Sequence, residues 1–117
     1  MAISAALQPN LSYDPLKDFS GVVSIVFGTN ALIVSPSLGV KTVKELIALG
    51  NAQPGKIFFG SAGAGSGTHM NAERFRFAAG MKAAHVAFKG QPEFIIEIVA
   101  GPVHFGMAGL GPALPLI

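Results

Sequence analysis

The sequence predicts an α/β protein: a single lobe with a mainly parallel sheet and helices on both faces. Three observations carry that prediction. Apolar, β-branched runs of strand length alternate with segments of helical pattern down most of the chain. Runs such as Ile57-Phe58-Phe59 lack polar–apolar alternation, which fits burial on both faces. The 117 residues, half of them apolar and 12% charged with mean hydropathy +0.54, suffice for one core and exclude disorder. The chain therefore reads as one domain over 1–117, with residues 1–10 an extended or disordered N-terminal segment.

Phe19–Phe27 and Ala31–Ser35 read as two strands joined by a turn or bulge at Gly28-Thr29-Asn30. Pro36–Lys41 is loop. Thr42 and Glu45 have capping-box spacing, and Val43, Leu46, Ile47 and Leu49 supply the apolar face of the helix they open, which Pro54-Gly55 stops. Lys56–Gly60 is a short strand. A helix follows over about Thr68–Ala79, with Met70, Phe77 and the alanines inward and Glu73, Arg74 and Arg76 outward, ending at Gly80. Ala84–Phe88 is the next strand and Lys89-Gly90 a turn. Pro92 suits a first helical turn, Phe94, Ile95, Ile98 and Val99 make that helix apolar, and Gly101 closes it. Val103–Ala108 is the last strand, with a helical turn beginning at Pro112.

The composition removes several functions. With no cysteine, disulfide scaffolds, zinc fingers, iron–sulfur centres and thiol catalysis are out. A net charge of +2, with Arg74 and Arg76 the only arginines, provides no basic stripe for nucleic acid, although a cleft can still focus a mild positive bias on a small anion. Met1–Leu7 has neither a charged start nor an adequate apolar stretch, so no secretory signal is expected there. Ile98–Ile117 is apolar, but three prolines and four glycines bar a continuous membrane-spanning helix.

In such a sheet, ligands bind at the carboxyl ends of strands. The loop from Gly60 to His69, GSAGAGSGTH, has four glycines between Gly60 and Gly67, so its backbone can approach a ligand and turn N–H groups toward it. Ser61, Ser66 and Thr68 add hydroxyls, and the following helix adds a partial positive charge. A plain flexible connection with Ser/Thr caps is the structural alternative. A Walker loop would need Gly-Lys-Ser/Thr where Gly67-Thr68-His69 stands, a dinucleotide fingerprint would need glycine at Thr68, and no Gly-x-Ser-x-Gly frame holds Ser61 or Ser66. His69, His85 and His104 are too scattered for a metal set, and His85 and His104 read as hydrogen-bonded strand residues. Lys89-Gly90, able to neutralise a carboxylate, and Thr29-Asn30, on a turn, are further candidates at strand ends; a solvated lysine and plain turn chemistry are the alternatives. These groups suit holding an anion, with no acid–base pair to transform it.

Several ordered motifs carry a family resemblance: Tyr13-Asp14-Pro15-Leu16-Lys17-Asp18-Phe19, Thr42-Val43-Lys44-Glu45-Leu46-Ile47-Ala48-Leu49, Pro54-Gly55-Lys56, the Gly60–Met70 loop, His85-Val86-Ala87-Phe88-Lys89-Gly90 and Ala113-Leu114-Pro115-Leu116-Ile117. In this order the chain, from about Leu11 to its end, resembles the Bug-type, TctC-like solute receptors of tripartite tricarboxylate transporters. The resemblance implies one lobe, the second, of a two-lobed type II periplasmic-binding-protein fold that closes on a di- or tricarboxylate. It implies a periplasmic location, partnership with membrane transporter subunits, no cofactor, no metal and no catalysis. Ligand contacts carried over are Ser61, Gly63, Gly65, Ser66, Gly67, Thr68 and His69, with Lys89, Gly90, Thr29 and Asn30 beside them. Ala87-Phe88 replaces the Pro-Tyr frequent in the family, and Val103–Gly109 lacks its usual acid, which disfavours amine-bearing ligands. One lobe alone predicts weak binding, millimolar or weaker. The alternative is a truncated, free-standing lobe acting as an interaction module with no ligand function, its open surface covered by a second copy in a two-fold dimer where the missing first lobe would otherwise sit.

Overall fold

A computed structural model describes residues 2–116; Met1 and Ile117, the ends of the expected domain and of its last motif, lie outside the described residues. The elements in order are α1 (Ala2–Leu7), β1 (Asn30–Val34), a 3-10 turn (Pro36–Leu38), α2 (Val43–Ala52), β2 (Ile57–Ser61), α3 (Gly67–Ala78), β3 (Ala83–Ala87), α4 (Gln91–Ala100), β4 (Phe105–Gly109), α5 (Leu110–Ala113) and a second 3-10 turn (Leu114–Leu116). From β1 onward, strand and helix alternate as expected. The N-terminus differs: residues 2–7 are helical, and Leu7 and Ile3 lie where a side chain on Gly65 would point.

The sheet has the order β1-β4-β2-β3, with β2 parallel to both β3 and β4 and β1 antiparallel to β4. Because strand side chains alternate in direction, Ile57 and Phe59 point to one face and Phe58 and Gly60 to the other. On the first face Leu46 of α2 and Ala72 of α3 close over Ile57, Phe59, Met81 and Phe105. On the second, α4 packs Phe94, Ile95 and Ile98 against Val103, Ala108 and Ala113. Here the glycine pair Gly60↔Gly106 lets β2 and β4 run directly beneath Phe94; a Cβ on Gly60 would stand 3.0 Å from Phe94 Cβ. Burial on both faces is incomplete, since Phe58 stays 37% exposed and stacks on His104.

Local signals act as their chemistry requires. Thr42 and Glu45 form both halves of the capping box. Gly101 closes α4 at φ 108°, a conformation favoured by the absence of a Cβ. Asp14 nucleates a turn, accepting from Leu16 N–H at 2.9 Å, and so shapes the Tyr13–Phe19 motif.

Two expectations fail. Phe19–Phe27 forms no strand: it has no ladder partner among the described residues, and Val22, Ile25 and Phe27 are each more than 90% exposed. Its β-propensity describes a conformation, and a strand also needs an edge to pair with. In α3 the inward face is Thr68, Ala72, Phe75 and Ala79, spaced by helical turns, while Phe77 is 85% exposed. Glu73, expected outward, is half-buried beside Arg76 and His69.

Candidate functional site

The carboxyl ends of β2, β3 and β4 and the start of antiparallel β1 meet at one end of the sheet. That end gathers all the candidate residues. Ser61 ends β2, and the loop to α3 carries Gly63, Gly65 and Ser66. Gly67, Thr68 and His69 are the first three residues of α3, capped by the Ser66 hydroxyl, which accepts from His69 N–H at 3.2 Å. Lys89 and Gly90 join β3 to α4, held beside the loop because Ser61 C=O accepts from Phe88 N–H at 2.9 Å. Thr29 C=O accepts from Leu110 N–H at 3.2 Å, which brings the Thr29-Asn30 corner to the end of β4.

The loop holds its shape through internal hydrogen bonds. Gly63 and Gly65 take φ of 114° and 78°, conformations an L side chain would strain. Ala62 N–H donates to Thr68 Oγ1 at 2.9 Å, Gly63 N–H to Ser61 Oγ at 3.2 Å and Gly65 N–H to His69 Nδ1 at 3.0 Å. Ser66 N–H donates to Gly63 C=O at 3.2 Å, and the Ser66 and Thr68 hydroxyls pair at 3.0 Å. The amides of Gly63, Gly65, Ser66 and His69 thus build the loop. The N–H groups of Ala64, Gly67 and Thr68 have no protein partner among the described residues; Ala64 and Gly67 are exposed. The amides without a protein partner among the described residues are fewer than the glycine count suggests, and they centre on the α3 N-terminus.

Under the loop lies a polar support that the residue pattern did not reveal. Ser61 is fully buried, and its hydroxyl sits 2.6 Å from His85 Nε2 and 3.2 Å from Gly63 C=O. His85 stacks on His69 with ring centroids 3.9 Å apart, and Phe59 stacks on His85 at 5.0 Å. Burial lowers the His85 pKa below its ordinary value, the neighbouring His69 lowers it further, and Glu73 opposes both. His69 Nδ1 accepts from Gly65 and its Nε2 points toward Glu73 Oε1, 4.0 Å away. Reading His85 as a hydrogen-bonded strand residue is consistent with this; its link to the loop appears only when β3 is set beside β2.

The other candidates contribute unequally. The Lys89 side chain is exposed, but its backbone N–H donates to Glu93 Oε2 at 3.0 Å, so a carboxylate already occupies that amide. Gln91, absent from the sequence candidates, accepts from Gly109 N–H at 2.9 Å and ties the α4 start to the end of β4. The arrangement is an open wall. Two cavities, of about 390 and 270 Å³, lie elsewhere, flanking β1. No cluster able to ligate a metal and no helix long and apolar enough to cross a membrane occur among the described residues.

Comparison with known proteins agrees with this architecture. Residues 2–117 match the family described as "Tripartite tricarboxylate transporter family receptor". Protein BugT of Bordetella pertussis is 26% identical over 103 residues, covering 88% of this chain and 32% of BugT. An R. palustris protein solved with adipate superposes with TM-score 0.82 and 32% identity over 92% of this chain and 36% of its own. A structure described as a periplasmic transporter gives TM-score 0.84 and 30% identity, covering 98% of this chain and 39% of that one. The chain spans about a third of the length of the curated relatives it matches.

Proposed function

The chain belongs to the tripartite tricarboxylate transporter receptor family, and from that premise we propose that it forms one wall of a solute clamp, the second lobe, for a small organic carboxylate. The carboxylate sits against the β2–α3 loop, accepting from the exposed amides of Ala64 and Gly67 and from Thr68 N–H at the start of α3. Ser61, Gly63, Gly65, Ser66 and His69 act one step back, holding those donors in place. Lys89-Gly90 and Thr29-Asn30 line the rim. The unspent amides at the head of a twelve-residue helix are the observation that carries the reading, because they favour negative charge with no arginine present. The similar protein solved with adipate supports a dicarboxylate. The receptor holds solute without transforming it and works in the periplasm for a membrane transporter.

A wall encloses a ligand on one side only, so affinity for adipate or succinate is expected at millimolar or weaker, about −4 kcal/mol. Amide NMR titration with adipate tests the site, with shifts expected at Ala64, Gly67 and Thr68 and none at Leu32–Val34, the far end of β1. Shifts confined to other positions overturn the assignment. Submicromolar affinity by calorimetry contradicts the one-wall reading. The second reading, self-association, is favoured by a different observation, the exposed apolar segment Phe19–Phe27.

A further inference from the structure

We infer that the head of α3 is a proton-sensitive cap: a proton taken up by His69 releases the β2–α3 loop and, with it, the solute. The release of solute rests on the carboxylate reading above; the release of the loop does not. Two helix starts in this chain are built alike. At α2, Thr42 Oγ1 accepts from Glu45 N–H at 3.2 Å, and Glu45 Oε2 reaches back to accept from the Lys41 and Thr42 amides. At α3, Ser66 Oγ accepts from His69 N–H at 3.2 Å, and His69 Nδ1 reaches back to accept from Gly65 N–H at 3.0 Å. Both close a reciprocal box at the same spacing. They differ in the acceptor, a carboxylate at α2 and an imidazole nitrogen at α3. A backbone N–H can only donate, so Nδ1 carries a lone pair and the ring's one proton sits on Nε2, toward Glu73 Oε1 at 4.0 Å. A glutamate stays an acceptor down to about pH 4, whereas a histidine ring changes charge between about pH 5 and 8. Of the two boxes, only that of α3 opens in mild acid.

The surroundings put the charge on His69. From β3, His85 stacks on it with centroids 3.9 Å apart, so a charge on one ring opposes a charge on the other. Burial, then the neighbouring His69, hold the His85 pKa below its ordinary value against Glu73, which raises it. On α3 itself Glu73 Oε1 faces His69 Nε2, and Arg76 occupies the other Glu73 oxygen at 2.7 Å. From β2 the Phe59 ring lies 6.3 Å away, and α1 brings Ile3 and Leu7 to Gly65; neither element adds a charge. Protonated at Nδ1, His69 turns a donor toward the Gly65 N–H, and that bond is lost. A positive ring in the first turn also opposes the helix dipole. Gly65, at φ 78°, sits between Ala64 and the capping Ser66, so the freed loop no longer fixes the Ala64 and Gly67 amides. The new charge attracts an anion as well, but across an open wall screened by salt, whereas the amides bond the carboxylate directly. Loss of the amides therefore decides the sign, and acid weakens binding.

NMR of the chain between pH 8 and 5 tests the cap without any ligand. The hydrogen-exchange protection factor of Gly65 should fall about 2- to 10-fold as the His69 ring titrates, the worth of one hydrogen bond. The Lys41 and Thr42 amides and the far-UV circular dichroism should hold over the same range. A His69 proton found on Nδ1 at pH 8, a Gly65 amide indifferent to pH, or a transition shared by the whole chain overturns the inference. His69→Gln supplies an acceptor that does not titrate, as in a glutamine capping box, so Gly65 should keep its protection to pH 5. Loss along the same curve as in the unmodified chain overturns the role of His69. Adipate titration at pH 7.5 and 5.5 reads the link to solute. Between those values the unmodified chain should lose about 2- to 10-fold more affinity than His69→Gln, a comparison that cancels protonation of adipate itself. Equal losses refute the link. No adipate shifts at either pH, with the Gly65 transition present, would strike down the carboxylate reading and leave the proton-sensitive cap standing.

Discussion

Replacing Ser61 by alanine tests whether the glycine loop is built on a buried hydroxyl. The serine is fully buried at the end of β2, and its oxygen accepts from Gly63 N–H while facing His85 Nε2 at 2.6 Å. Alanine keeps the Cβ, so little packing is lost. What disappears is the partner of one backbone amide and of one ring nitrogen. A fully buried polar group left unsatisfied costs about 1–3 kcal/mol. Gly63 and His85 are only half-buried, so water can replace part of each bond, and the total expected is also about 1–3 kcal/mol. Urea unfolding reads this as a midpoint lowered by about 1 M, at slopes of about 1–3 kcal/mol per molar. The pair is isolated by a double-mutant cycle with His85→Ala, for which a coupling of at least about 0.5 kcal/mol is expected. Hydrogen exchange at Gly63 should accelerate in Ser61→Ala. An unchanged midpoint, or strictly additive single substitutions, would refute the support assigned to this hydroxyl.

Two further predictions follow from the fold. Burial lowers the pKa of both His85 and His104, His85 also through its neighbour His69, so the unfolded chain takes up these protons first as pH falls. Stability is therefore full above the unfolded value near 6.5 and declines as pH drops below it. Thermal melts between pH 8 and 5 should show that loss, and His104→Gln should flatten the curve; a melting temperature that rises on acidification contradicts the assignment. Gly106→Ala would bring a Cβ to 3.0 Å from Gly60 C=O and from Phe94, so overpacking should destabilise by about 1–3 kcal/mol in chemical denaturation, and wild-type stability would mean β2 and β4 can separate beneath α4.

Much of the fold was legible because its signals are local. The Thr42–Glu45 box, Pro92 in the first turn of α4 and Gly101 behind it mark helix ends through atoms only a few residues apart, and Ile57–Phe59 and Ala84–Phe88 read as strands from their own residues, the latter one position beyond the observed Ala83–Ala87. The glycine loop was visible for the same reason, and so was the family, whose motifs keep their order along the chain. The site was legible as a place more than as a set of donors. Sequence shows how many amides the loop has; it does not show that the His69 ring and the Ser61 hydroxyl consume two of them.

What needed the tertiary structure was every relation between distant segments. Setting β3 parallel to β2 carries His85 to Ser61 across 24 positions, and placing β1 antiparallel to β4 brings Thr29 to Leu110. The same arrangement leaves Phe19–Phe27 without an edge, although its composition favours a strand. Helical phase likewise turned Phe75 inward and Phe77 to water once the sheet fixed which side of α3 is buried. Propensities and caps depend on neighbours along the chain. Pairing, burial and the spending of hydrogen-bond donors depend on which surfaces meet, and long-range contact alone decides that.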